Sequence, residues 1–291
     1  MTMTTLLHAC PGRSPVAALL LAAALALAAC GGGGGGDGND PPVPPATPVM
    51  PPTGPTQPGT GHRVVMLDHG VFRLSYDCDA HAALGWDYTL GADTGNAARP
   101  TTFHLGDPAL PAGCGEQASA SSYAASISPG WDRGHLVPAN HMDQDDASIA
   151  LSFYMTNIVP QRASFNRGIW ADTEDIAECY RDLAPVLVVG GLVYDDASND
   201  AFLADHAIAT PDWFWKVLVT TDPATGGTPR VIAWLIPNRD GLGTLDSYLV
   251  SVAELEALVG ASAVGLPGLP ATLKVQKPAA SWPLPAGCRP G

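Results

Sequence analysis

Nine of the eighteen residues from 41 to 58 are proline, and six consecutive glycines, Gly31 to Gly36, come shortly before them. A chain of this kind can neither bury apolar side chains nor pair its backbone in a sheet. Polyglycine is a flexible coil, and proline-rich chain is stiff and extended. Residues 31–61 therefore read as a tether, and any hydrophobic core is confined to residues 62–291. Those 230 residues suffice for one substantial core, and no second low-complexity break divides them, so a single domain is expected.

Ahead of the tether, residues 15–29 are almost entirely Ala and Leu, behind a short segment whose only Lys or Arg is Arg13. Fifteen residues are short for a membrane span but suit the apolar core of an export signal. The segment ends in Leu27-Ala28-Ala29-Cys30, which resembles a bacterial lipoprotein processing site. The resemblance implies a signal peptide over residues 1–29, cleavage before Cys30 and lipidation of its sulfur, with residues 30–61 as the leash. Gly31, rather than an aspartate after the cysteine, points by the same resemblance to the outer membrane of a two-membrane bacterium. The expected location is thus outside the cytoplasm, anchored at that membrane on its periplasmic or surface side, or released from it. An ordinary signal peptide with a chance cysteine is the alternative.

Cys78, Cys114, Cys179 and Cys288 remain in the body. An even number in an exported chain suggests two disulfides, with three pairings open. A zinc site is the rival, but no two of these cysteines have close ligand spacing.

Strands are expected at residues 63–67 and 71–76, separated by the turn residues Asp68-His69-Gly70. Leu84, Trp86, Tyr88 and Leu90 alternate strictly, the pattern of a strand with one buried face. Residues 92–129 are rich in Gly, Ala, Pro, Ser and Thr and read as loop. A short helix is expected at 146–155 and a longer one from about 165 to 183. Apolar strands are expected at 185–194, 212–220 and 230–236. Ser251 and Glu254 form a capping box that opens a helix ending near Gly260. Many strands with few intervening helices imply an α+β fold: a mainly antiparallel central sheet flanked by helices.

The chemistry concentrates in Trp131-Asp132-Arg133-Gly134-His135 and, thirty-one residues after that histidine, Asn166. Imidazole titrates near neutrality, so His135 is a candidate general base, although a lone histidine is more often structural. Arg133 raises the case, because a guanidinium is a permanently charged fork matched to phosphoryl oxygens. Asp132 could orient a neighbouring donor or serve only in a turn. Asn166 is either a helix cap or an amide-oxygen ligand for a hard cation such as Mg²⁺. In a regular helix Asn166, Trp170 and Glu174 would share one side, which places Glu174 to hold a cation's water. Asp172 and Asp175 would point elsewhere, and Trp170 would pack.

Charge argues the other way. Of 14 Lys+Arg, loss of Arg13 leaves 13 cations against 28 carboxylates, a formal charge of −15. A polyanion would be repelled at long range unless cations cluster locally. Arg133, Arg162 and Arg167 flank the proposed site and are candidates to contact substrate.

The runs from Asp132 to Ala139, from Met155 to Gln161 and from Asn166 to Trp170 resemble the secreted DNA/RNA non-specific endonucleases of the ββα-metal class. The likeness covers roughly residues 63–270. It implies His135 as the base that activates water, Asn166 as the sole protein ligand of Mg²⁺ (with Mn²⁺ a substitute), and Glu174 as holder of the ion's water shell. Arg133 would contact phosphate or orient the site, and Asn157 and Gln161 would brace it. An upstream arginine, for which Arg99 is the candidate despite altered spacing, would stabilise the phosphate. DNA and RNA are the implied substrates. In-line attack would leave 5′-phosphate ends, and contacts made to phosphate would carry little base information. The alternatives are a metal-dependent phosphodiesterase for small nucleotides and a nuclease-like module that binds without turnover. No obligate protein partner is evident in the sequence, which is silent on oligomeric state.

Overall fold

The alternating strand and the apolar runs assemble as one sheet. A computed structural model describes residues 61–289. The expected signal peptide, Cys30 and nearly all of the expected tether lie outside the described residues. Strands β1 (Val64–Asp68), β2 (Arg73–Asp77) and β3 (Ala82–Leu90) form a meander. β3 then pairs with β6 (Val186–Val193), followed by β7 (Trp213–Asp222), β8 (Thr228–Pro237) and the short β9 (Leu249–Val250). All of these pairings are antiparallel.

Both faces of the central strands are covered, which is why β6, β7 and β8 read as continuous apolar runs while β3 alternates. One face carries Trp86, Phe214, Leu218 and Trp234 with Trp170 against them. The other carries Trp215, Val217, Val231 and Leu235 under Leu255 and Val264. Two glycines in β6 make room for the indoles: a Cβ on Gly190 would lie 2.1 Å from the Trp86 ring, and one on Gly191 2.4 Å from that of Trp215. The Ser251–Glu254 capping box is present in full at the start of the helix Val252–Val259.

Residues 92–129 run as loop and turns, as expected. Cys78 pairs with Cys114 across 36 residues, and Cys179 with Cys288 across 109. The sequence alone left that pairing open.

A second, two-stranded sheet, absent from the strands read in the local pattern, matches the ββα motif that the family resemblance implies. β4 (Trp131–His135) pairs antiparallel with β5 (Ile158–Arg162), in register from Trp131 opposite Arg162 to His135 opposite Ile158. Gly134 and Pro160 face each other's strands here and weaken any strand pattern in the sequence. β5 leads into the helical turn Ala163–Phe165, a π-turn over Asn166–Trp170 and then the helix Ala171–Arg181. Two strands and a helix thus form the ββα unit.

The expectation of one regular helix from about 165 to 183 is corrected in detail. Gly168 departs from helical geometry (φ −117°, ψ −115°), and a π-turn interrupts the hydrogen-bond ladder there. Such interruptions concentrate at functional sites.

Candidate active site

His135 ends β4, and the neighbouring strand holds it. A Cβ on Gly134 would fall 2.1 Å from Gln161 Cδ, so only glycine lets Gln161 lie flat against β4. Gln161 Nε2 donates to the His135 carbonyl at 3.4 Å. Asn157, fully buried, accepts from Val137 N (3.0 Å) and donates to the carbonyls of Val137 (3.0 Å) and Ser152 (2.9 Å). Both amides contact backbone only, in keeping with a bracing role. The imidazole lies among aromatic rings, with Phe153 edge-on at 4.8 Å and Phe103 at 5.5 Å, and its Nε2 is buried without a hydrogen-bond partner.

Asn166 does not N-cap the helix: its backbone is itself helical (φ −59°, ψ −47°). Its Nδ2 donates to Asp132 Oδ2 at 2.9 Å, while Arg167 reaches both oxygens of the same carboxylate, at 2.9 and 2.5 Å. Asp132 on β4 thereby orients the amide from outside the helix and engages its nitrogen. The amide oxygen is then the atom left for a ligand.

His135, Asn166, Glu174, Arg99, Arg133 and Arg167 line a single cleft of about 190 Å³. A larger cleft of about 550 Å³ is bordered by Arg73, Asp87, His141 and Arg181, but it gathers no such set. One proposed substrate contact, Arg162, lies elsewhere, and Trp170 packs as expected. Trp170 is completely buried and packs on Phe165 and Phe214. Arg162 stacks over Trp131 at 4.2 Å beside Asp240 and is not among the residues that line the cleft. Arg133 lines the cleft, but its guanidinium packs over Phe103 at 4.0 Å and donates to the Ala120 carbonyl at 2.7 Å, so part of its capacity is already used.

Burial pushes the His135 imidazole down to about 3, and the charges of Arg99 and Arg133 add to that. The ring is therefore neutral, as a proton acceptor must be. Glu174 moves the opposite way: burial raises its carboxyl to about 7, against the pull of Lys216. Burial likewise lowers the Lys216 ammonium to about 8, opposed by Glu174. Each partner is desolvated by more than the pair restores.

An all-oxygen donor set, the Asn166 amide and the Glu174 carboxylate, suits a hard divalent cation. A separate cluster, His62, Asp77 and Asp79, also brings potential ligand atoms within 4.8 Å of one another and is compatible with a divalent ion. Its groups are already engaged. Asp77 Oδ2 takes His62 at 2.8 Å, Asp77 Oδ1 accepts from the nitrogens of Asp79 and Ala80, and Asp79 accepts from Arg63 N.

Sequence reasoning passed over Lys216 and His141, both fully buried behind this helix. The signal for Lys216 was available: it is the single charge among residues 213–221.

A two-stranded antiparallel unit that runs into a helix, with a histidine on the strand and an asparagine at the helix entry, defines a ββα-metal centre. Residues 53–267 match the DNA/RNA non-specific endonuclease family, and the chain belongs to that family. It is 35% identical over 176 residues to a nuclease of Nostoc sp., covering 57% of this chain and 60% of that protein. It is 28% identical over 149 residues to the mouse mitochondrial nuclease EXOG, covering 46% and 40% of the two chains. With human mitochondrial endonuclease G the identity is 26% over 142 residues, 45% and 47% of the chains. The chain thus spans about half the length of the relatives it matches.

Proposed function

We propose that this protein is a metal-dependent endonuclease that hydrolyses phosphodiester bonds of DNA and RNA with little sequence preference. The observation that carries this reading is the convergence of a neutral buried imidazole, two oxygen donors and three arginines on one cleft. In that reading His135 takes a proton from the attacking water, which displaces the 3′ oxygen in line and leaves a 5′-phosphate. Asn166 holds the cation through its amide oxygen, and Glu174 accepts hydrogen bonds from the ion's water shell. Arg99 and Arg133 face the phosphate, and Arg167 serves chiefly to hold Asp132. Mg²⁺, when bound, would offset negative charge developing on the phosphoryl and leaving oxygens.

The size of the cleft favours polymer over small nucleotide. Pockets that enclose a small molecule usually hold about 300–1,000 Å³, whereas this one, at about 190 Å³, accommodates little more than a phosphate and its ion. A strand lying across the surface with one phosphate lowered into the cleft fits better. The local arginines supply attraction that the acidic chain as a whole lacks, so affinity should be modest and fall with salt.

The test is cleavage of circular plasmid and of total RNA by the full chain, with Mg²⁺ and with EDTA. Metal-dependent loss of both substrates is expected. Intact polymers alongside turnover of a small phosphodiester would instead favour the small-substrate reading.

Export and anchoring through a lipidated Cys30 belong to the same proposal, supported by the apolar segment and the tether. Labelled palmitate should enter the protein in growing bacteria and be absent from Cys30→Ser. Equal labelling of that variant would dismiss the anchor.

A further inference from the structure

Lys216 sits in the middle of β7 with none of its surface exposed. Its neighbours on the same face of the strand, Phe214 and Leu218, are apolar core residues. Withdrawing an ammonium from water is costly even after relaxation, and an aliphatic side chain would avoid that cost. The charge therefore needs a reason to be there.

Three contacts of its ammonium lie on the segment that carries Glu174. Lys216 Nζ donates to Thr173 Oγ1 at 2.7 Å, rests 3.9 Å from the centroid of the Trp170 ring and stands 3.7 Å from Glu174 Oε1. Thr173 Oγ1 in turn donates to the Trp170 carbonyl at 2.6 Å, which closes a ring of contacts on the first turn of the helix. Among the described residues Glu174 is the one carboxylate within ion-pair distance of Lys216, and its side chain is 22% exposed, where it borders the cleft. One edge of the carboxylate thus meets the buried cation while the side chain reaches the active site.

We propose that Lys216 is a positioning residue for the reaction: from the buried side it holds the Glu174 carboxylate in place, leaving the second oxygen to the cleft beside Asn166. The inference rests on the reading of Glu174 as holder of the cation's water shell. A lysine that only supported the sheet would act independently of Glu174. A lysine that works through Glu174 has no effect once that carboxylate is gone.

A double-mutant cycle on the full chain separates the two, with Lys216→Met, Glu174→Gln and the double variant. Two readouts are taken: Mn²⁺ binding, from the electron paramagnetic resonance signal of the free ion, and kcat/KM on plasmid. Lys216→Met should weaken both by about tenfold or more, the usual scale for a residue that supports a metal site from behind. The double variant should be no worse than Glu174→Gln alone. Thr173→Val, which keeps the shape but removes the hydroxyl, should show a smaller loss in the same direction and stands in if Lys216→Met fails to fold. Undiminished Mn²⁺ binding in Lys216→Met, or a loss that adds in full to that of Glu174→Gln, would overturn the inference. If the parent binds Mn²⁺ but cleaves nothing, the nuclease reading falls, and the Mn²⁺ cycle still judges Lys216. A parent that does neither overturns both.

Discussion

Replacement of His135 by alanine is expected to lower kcat/KM for plasmid cleavage by roughly 10³-fold, within the range ascribed to a positioned general base, while the protein stays folded. The geometry leaves no substitute. Within the cleft the other candidate proton acceptor is Glu174, which meets Lys216 on its buried side. The guanidinium groups that share the cleft are hydrogen-bond donors only and offer no acceptor for a proton. The imidazole also has no structural hydrogen bond through Nε2 to lose, so its removal should leave the circular dichroism spectrum intact. The pH profile of the parent sharpens the assignment. With the imidazole held neutral down to about 3, His135 does not set the acid side of the profile. Under the proposed mechanism Glu174, raised to about 7, is expected to set it. Its carboxylate is present above that value and protonated below it, so activity should fall as pH drops through neutrality. A bound cation favours the carboxylate, and saturating Mg²⁺ should move the fall to lower pH. A His135→Ala protein that cleaves within tenfold of the parent would remove the imidazole from the chemistry.

Loss of the Cys179–Cys288 bridge is expected to cost more stability than any other single covalent change in the body. The two residues are 109 apart, against 36 for Cys78–Cys114. In the chain-entropy account a closed loop of that length is worth about 4–5 kcal/mol. Cys179 lies in the helix that carries Glu174, and the bridge brings the C-terminal tail against it. Trp282 of that tail packs on Tyr180 at 4.9 Å, the Tyr180 hydroxyl donates to the Pro283 carbonyl, and Arg230 covers the Trp282 ring at 4.7 Å. Cys179→Ala with Cys288→Ala should therefore lower the urea midpoint more than the paired alanines at 78 and 114, by about 1 kcal/mol of stability on the chain-entropy account. Equal midpoints for the two double variants would mean that packing, not the bridge, secures the tail.

Much of this was legible before any coordinates. Trp86, Tyr88 and Leu90 alternate because one face of β3 is buried, and Ser251 with Glu254 marks a helix start because both side chains satisfy backbone groups locally. These are short-range patterns with short-range causes. The β4–β5 pair was legible only through the family resemblance and not from local pattern, because a two-stranded unit carrying Gly134 and Pro160 has little strand propensity of its own and is specified by what packs on it. The π-turn at Asn166 was missed because helical periodicity assumes a regular ladder, which Gly168 interrupts. Pairing of the four cysteines depended on distances in space that spacing along the chain does not encode.

By itself the sequence determined where a core could form, the α+β class, and a histidine, an asparagine and a glutamate as candidates for one chemistry. Each follows from residue type, local pattern or family resemblance. Only the tertiary structure decided that Asp132 turns the Asn166 amide, that Arg162 stands on Trp131 rather than in the cleft, and that a buried lysine backs Glu174. Those outcomes depend on which groups lose water together, and desolvation is a property of the packed molecule rather than of any segment of its chain.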